Sequence, residues 1–220
     1  MTRESAVSTG TRRAEETAIA AFGRREASAR DLVDRAASIV DTAFAMAARF
    51  HGGGKLIVFG VGAASTDAQH VAVEFVHPVI VGKRALPAIS LTSDIATLTA
   101  IAASSGMAEI FAYQLRQLAA PSDIALGISA DGNCPSVLAG LRAAHDAGLL
   151  TVALTGGTGG AITAGSIAEH ALTAGSTDPR VIKEIHVTTY HLLWELVHVF
   201  FEQPSVLSQP SVLSQGVGAL

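Results

Sequence analysis

The run Lys55-Leu-Ile-Val-Phe59 and the glycine turn Gly60-Val-Gly-Ala-Ala64 decide the fold of this chain. The run is apolar enough for a buried strand, and the turn that follows it carries almost no side chain. The next stretch, Asp67-Ala-Gln-His70-Val-Ala-Val-Glu74, is predicted to be helical, so His70 and Glu74 share one helix face. A buried strand, a small turn and a helix N-terminus together form a cradle for an anionic or polyhydroxyl ligand.

The length, composition and net charge of the chain limit the classes of protein to which it can belong. The chain has 220 residues, of which 49% are hydrophobic and 21 are glycine, so it is long enough for one domain with a proper core and suits an α/β protein. The net charge of −4 gives no support for nucleic acid binding. No apolar stretch reaches the ~18 residues that a membrane span needs. The N-terminus has no signal-peptide core, and a single cysteine, Cys134, excludes an internal disulfide, so we expect a cytoplasmic protein.

Strands and helices alternate after residue 54. One or two helices are predicted within residues 11–50. Strands are predicted at residues 55–59, 86–91, 123–128, 150–155 and 170–173. Helices are predicted at residues 66–76, 94–103, 108–119, 135–147, 161–166 and 179–202. We expect Ser65 or Thr66 to cap the first of these helices and Ser93-Asp94 to cap the second. This order predicts an α/β fold whose parallel sheet is covered by helices on both faces.

The chain divides into three parts. Residues 1–26 form a polar N-terminal segment and helix, and residues 27–202 form the domain. Residues 203–220 form a tail in which Gln203-Pro-Ser-Val-Leu-Ser208 is repeated at 209–214. Two copies are too few for a repeat fold, so we expect this tail to be disordered.

Three glycine-containing loops follow predicted strands and are expected to converge at one edge of the sheet: residues 60–65, 129–134 and 155–160. Dinucleotide binding is disfavoured, because the first loop reads G-x-G-x-x-S and no acidic residue ends the next strand. A carboxylate and an imidazole on different helices would suit enolisation, which needs a base and a proton donor. A histidine on an apolar helix can equally be a packing residue.

Five ordered motifs make the chain resemble the sugar isomerase (SIS) domain, and most closely the phosphoheptose isomerases. They are G-x-G-x-x-S-x-D-A-Q-H-x-x-x-E at 60–74, L-P-A-I-S at 86–90, G-I-S-x-x-G-N at 127–133, L-T-G-x-x-G-G at 154–160 and E-I-H-x-x-x-x-H at 184–191. The resemblance implies a five-stranded parallel sheet flanked by helices. It also implies a homotetramer with active sites between subunits.

The resemblance also implies a mechanism and a set of site residues. Family enzymes convert a ketose phosphate to an aldose phosphate through an enediol, and the motifs place the catalytic glutamate on Glu74 and the catalytic histidine on His191. They place a zinc site on His70, Glu74 and His191. The expected substrate-binding residues are Gly62, Ala63, Ser65, Ser129, Asp131, Asn133 and Lys183.

The chain departs from the family in both phosphate-binding loops. The first loop usually reads Gly-Asn-Gly-Gly-Ser, whereas here Val61 and Ala64 replace an amide and a hydroxyl. The second usually reads Ser-Thr-Ser-Gly-Asn-Ser, whereas here Ala130, Asp131 and Cys134 replace three of the four hydroxyls, and only Ser129 keeps one. An ionised Asp131 about 4 Å from a phosphate would repel it by ~4 kcal/mol, unless it turns to solvent or caps the next helix. We therefore expect weakened binding of phosphorylated sugars.

The zinc ligands differ from the family as well. Lys183 occupies the position of the family's glutamine ligand, and a protonated lysine cannot bind a cation. Either the other three residues hold zinc with water, or the ammonium replaces the metal. We expect that ammonium to point toward Glu74.

The resulting prediction is an isomerase of a sugar or sugar phosphate that forms a homo-oligomer and binds no nucleic acid and no membrane. The alternative is a non-catalytic SIS protein that binds a carbohydrate derivative or a protein partner. The presence of Glu74 and His191 favours the enzyme.

Overall fold

The computed structural model describes residues 3–207, which form three layers around a parallel sheet. The strands are β1 (Leu56–Gly60), β2 (Ala88–Ser90), β3 (Ile124–Ser129), β4 (Leu150–Gly156) and β5 (His170–Ala174). The helices are α1 (Arg3–Asp34), α2 (Ala36–His51), α3 (Ala63–Val76), α4 (Ile95–Ser105), α5 (Ile110–Leu118), α6 (Pro135–Asp146), α7 (Gly160–Ala164), α8 (Pro179–Phe201) and α9 (Pro204–Leu207), with a 3₁₀ turn at Met107–Glu109. The sheet order is β2-β1-β3-β4-β5, and every pairing is parallel, which confirms the predicted fold class.

The central strands are buried because helices cover both faces of the sheet. Leu56 and Val58 of β1 pack with α1, α2, α3 and α8, whereas Ile57 and Phe59 pack with α4, α5, α6 and α7. This alternation follows from the two-residue period of a strand. The apolar runs that predicted strands therefore reflect burial on both faces.

The sheet edge differs from the prediction. Strand β2 spans three residues rather than the predicted 86–91. Pro87 precedes it and has no amide to donate, although its carbonyl accepts a hydrogen bond from the Leu56 amide. The shorter strand fits an edge position beside β1.

The start of α3 also differs, and it matters for the site. The helix begins at Ala63 rather than at residue 66, and Gly62 precedes it with φ 62°. The Ser65 and Thr66 hydroxyls do not cap it, because they donate to the carbonyls of Gly62 and Ala63. The predicted cap of α4 is confirmed, since Asp94 accepts a hydrogen bond from the Thr97 amide.

The two ends of the chain depart from the predicted division. Helix α1 runs through the boundary expected between residues 26 and 27 and ends at Asp34, where Arg35 separates it from α2. The prediction of disorder from residue 203 is wrong for α9, whose Leu207 packs against the core. The rest of that prediction, residues 208–220, lies outside the described residues. None of the helices within residues 3–207 combines the length and hydrophobicity that crossing a bilayer requires.

A buried carboxylate joins the starts of β1 and β3. Asp123 accepts hydrogen bonds from the Lys55 ammonium at 2.5 Å, the Ala120 amide at 2.8 Å and the Lys55 amide at 2.9 Å. Burial opposes ionisation, but these three donors outweigh it and lower the pKa of Asp123 below 3.8.

We expect Asp123→Asn to lower the free energy of unfolding by about 2–4 kcal/mol, because it leaves the Lys55 ammonium without its buried partner. The exposed pair Glu26–Arg30 supplies the control, and Glu26→Gln should cost less than ~0.5 kcal/mol. Urea unfolding at neutral pH measures both values.

The lowered pKa sets the sign of the pH dependence. The stability that Asp123 contributes is fully present above the pKa of the unfolded chain and is lost as the pH falls through the lower folded pKa. The difference between wild type and Asp123→Asn should therefore shrink on acidification. Equal losses in the two variants at neutral pH would contradict this account.

Candidate active site

The first loop presents backbone donors at the start of α3. Because the first amides of a helix have no intrahelical acceptor, those of Gly62 and Ala63 are available, and neither has a protein acceptor within residues 3–207. The Ser65 hydroxyl donates to the Gly62 carbonyl at 2.7 Å. The predicted binding residues Gly62, Ala63 and Ser65 thus lie together at a helix N-terminus, which favours an anionic ligand.

The second loop is organised by its own acidic side chain. Asp131 Oδ1 accepts hydrogen bonds from the Asn133 amide at 2.9 Å and the Ser129 hydroxyl at 3.2 Å. The bond from the Asn133 amide, with further help from Ser129, lowers the pKa of Asp131 against the opposing effect of burial. Asp131 is therefore a fixed negative charge that closes the loop on itself, and the Ser129 hydroxyl is already engaged.

The second and third loops interlock through their backbones. A side chain at Gly132 would overlap the Gly159 carbonyl, and one at Gly160 would overlap the Asp131 carbonyl. Asn133 Oδ1 also accepts a hydrogen bond from the Ala161 amide at 2.9 Å. The predicted convergence of these two loops is confirmed, and Asn133 joins them with its side-chain oxygen.

The three residues predicted to carry the chemistry lie together within one chain. His70 and Glu74 come from α3 and His191 comes from α8, and one ligand atom of each lies within 4.8 Å of the others. His70 Nε2 is 3.2 Å from Glu74 Oε1. Glu74 is mostly covered, His70 is half-exposed and His191 is exposed, so the group opens to one side. The predicted convergence is confirmed.

Three contacts from one face of α8 hold it against α3. Trp194 Nε1 donates to the Glu74 carbonyl oxygen at 2.9 Å, and the Tyr190 hydroxyl lies 2.7 Å from His70 Nδ1. The third contact is made by Lys183, which lies seven residues before Tyr190 and binds Asp67 of α3. Sequence reasoning missed Tyr190, although the spacing 183, 190, 194 places these residues on one helix face.

Lys183 does not point toward Glu74, and that prediction is wrong. Its ammonium donates to both carboxylate oxygens of Asp67 at 2.6 and 2.7 Å, and to the Ala63 carbonyl oxygen at 3.1 Å. Asp67 is buried, so the ion pair fastens the first turn of α3 to α8. Asp67 was also missed, although it lies one helical turn before His70.

A further histidine of α8 has a structural role. His186 is buried and its Nε2 lies 2.8 Å from the Thr155 carbonyl oxygen. Burial lowers the pKa of His186, which keeps the ring neutral and makes Nε2 the donor of that bond. This contact ties α8 to the end of β4.

A cavity of about 870 Å³ lies beside the interlocked loops, between α1 and the ends of β4 and β5. Asp131 and Asn133 line it, together with Arg24 and Asp178, whose charged groups are 3.8 Å apart. His70, Glu74, His191 and Lys183 do not line it. Asp131 and Asn133 therefore border a recess separate from the three clustered residues.

Known proteins match this chain in sequence and in fold over most of its length. The SIS domain family matches residues 24–156. The phosphoheptose isomerase of Solidesulfovibrio magneticus is 42% identical over 177 residues, which cover 80% of this chain and 85% of that relative. The solved phosphoheptose isomerase from Francisella tularensis is 30% identical with a TM-score of 0.76, covering 84% of this chain and 98% of its own. The one from Neisseria gonorrhoeae is 28% identical with a TM-score of 0.76, covering 83% and 97%.

We expect Lys183→Met to destabilise the protein by about 1–3 kcal/mol, because it keeps the aliphatic stem but leaves the buried Asp67 carboxylate without its cation. Lys83→Met is the matched control, since its partner Glu202 is 63% exposed and an exposed ion pair contributes little. Chemical denaturation measures both variants. Equal effects would mean that the Lys183–Asp67 pair does not hold α8 to α3.

Proposed function

We propose that this chain, which belongs to the SIS-domain family and within it to the phosphoheptose isomerases, interconverts a ketose phosphate and an aldose phosphate of the sedoheptulose 7-phosphate class. The observation that carries the proposal is the cluster of one carboxylate and two imidazoles within 4.8 Å. The cluster and the similarity to phosphoheptose isomerases together support an isomerase over the non-catalytic binding protein that the sequence left open.

The cluster supplies the groups that an enediol mechanism requires. Glu74 takes the proton from C1 of the ketose and returns it to C2, and His191 exchanges protons at the two sugar oxygens. In the metal-free protein, His70 Nε2 donates to the Glu74 carboxylate and orients it. The exposed side of His191 leaves an approach for the sugar.

We also propose a zinc ion held by His70, Glu74 and His191. The 3.2 Å between His70 Nε2 and Glu74 Oε1 is close to the ~3.3 Å that separates two ligands of a tetrahedral zinc. Lys183, which stands where the family has its fourth zinc ligand, is turned away to Asp67. The fourth coordination position of the zinc would therefore be left for water or substrate. A bound zinc would polarise the sugar carbonyl as a Lewis acid.

We also propose that the chain associates with further copies of itself. An apolar groove of about 410 Å³ runs between α1, α2 and α8 and includes the exposed side chains of Val33 and Val40. Apolar area of this kind favours association. Sequence resemblance to the family makes a homotetramer the expected assembly.

The first and second loops differ in how well they can bind the phosphate of the substrate. The first loop keeps its two available amides, whereas the second keeps the fixed charge of Asp131 and a Ser129 hydroxyl that is already donating to it. A dianionic phosphate near Asp131 would be repelled. We therefore expect the substrate phosphate to be bound more weakly than the family's usual loops would bind it.

The first test removes the base. Glu74→Gln should lower turnover of sedoheptulose 7-phosphate about 100- to 10,000-fold, because the neutral amide cannot accept the carbon-bound proton. Turnover is followed by the appearance of the aldose phosphate. Glu16→Gln on the exposed surface of α1 is the control and should leave turnover unchanged. Wild-type turnover in Glu74→Gln would refute the assignment of the base.

The second test restores the family loop. The double substitution Asp131→Ser and Cys134→Ser should tighten binding of sedoheptulose 7-phosphate in calorimetry, since each regained hydrogen bond to a charged oxygen is worth ~1.5–3 kcal/mol. Asp146→Ser removes the same charge from the exposed end of α6 and controls for net charge. If the unmodified chain already binds this phosphate as tightly as the double variant, Asp131 does not weaken binding.

A further inference from the structure

Tyr190 is a buried polar residue beside the His70–Glu74–His191 cluster, and the proposed reaction gives it no role. Tyr190 is 1% exposed, and its hydroxyl lies 2.7 Å from His70 Nδ1. Its ring meets the rings of His70 and His191 edge-on, with centroids 5.3 and 4.9 Å away. We propose that Tyr190 is a positioning residue whose hydroxyl holds the His70 ring through Nδ1 in either tautomer, so that His70 Nε2 stays placed to donate to Glu74 or to bind a cation.

The hydrogen bonds of His70 identify its tautomer. A neutral imidazole has one N–H and one bare nitrogen. The Glu74 carboxylate can only accept, so His70 Nε2 must carry the hydrogen of their 3.2 Å contact. His70 Nδ1 is then the acceptor, and the Tyr190 hydroxyl donates to it.

The same hydroxyl can serve the opposite tautomer. A cation would bind the bare Nε2, which moves the hydrogen to Nδ1, and a phenol oxygen can accept from that N–H. A phenol keeps its hydrogen at neutral pH, so the hydroxyl can act either as donor or as acceptor. One side chain thus supports His70 both as a donor to Glu74 and as a metal ligand, and phenylalanine would support neither state.

The burial of Tyr190 keeps its hydroxyl in place against His70. Its ring is packed in the core that α8 shares with α3, and the neighbouring Lys183–Asp67 and Trp194–Glu74 contacts fix the spacing of the two helices. The hydroxyl therefore cannot leave His70 without a change in that packing. The inference rests on the proposed function only where zinc is concerned, because the tautomer can be read without metal or substrate.

The experiment reads the tautomer directly. In metal-free wild-type protein, the ¹⁵N shifts of His70, assigned with His70→Gln, should report hydrogen on Nε2. Tyr190→Phe removes only the hydroxyl, so the hydrogen should stay on Nε2 beside Glu74, but the ¹⁵N shift of Nδ1 should move because that nitrogen loses its hydrogen-bond partner. Chelator competition should show zinc bound about 10- to 100-fold more weakly by Tyr190→Phe. Tyr113→Phe, an exposed tyrosine on α5, is the matched control and should change neither readout.

Two results would overturn the inference. Hydrogen on His70 Nδ1 in the metal-free wild type would do so without any variant, so the test stands even if Tyr190→Phe does not fold. Unchanged shifts and unchanged zinc affinity in a folded Tyr190→Phe would do so as well. A wild-type protein with the expected tautomer but no isomerase turnover would instead contradict the proposed function and leave the role of Tyr190 intact.

Discussion

The site depends on the polar contact between α3 and α8. His70 and His191 are separated by more than half of the chain, and neither helix could place them within reach of one another alone. The Lys183–Asp67 ion pair fixes the two helices at one end, and the Trp194 hydrogen bond to the Glu74 carbonyl fixes them at the other. Both contacts are shielded from solvent on at least one side, so they are stronger than exposed pairs of the same kind.

Much of the fold could be predicted from the sequence, because burial on both faces of a parallel sheet leaves continuous apolar runs. The start of α3 could not be predicted in this way, because Gly62 leads into the helix with a positive φ and no side-chain hydroxyl caps it. The short helix α9 was missed as well, because its Leu207 gains stability from the core and not from its local sequence. Local patterns thus predicted the elements, and tertiary contacts decided their ends.

The site was predictable where one helix carries both partners and less so where two helices meet. The four-residue spacing of His70 and Glu74 fixed their relation in advance. The direction of Lys183 depended on Asp67, which is 116 residues away. Tyr190 carries no motif of its own, and its role becomes visible only when its hydroxyl is seen against His70. Contacts between residues that are distant in the chain become visible only in the three-dimensional structure.

The interlocked glycines of the second and third loops have a consequence for how this enzyme can diverge. Because the Gly132 and Gly160 backbones leave no room for a side chain, the two loops share one surface and cannot change shape separately. A graft of another family member's second loop would have to bring its third loop as well. Selection on substrate preference therefore acts on these two segments as one inherited unit.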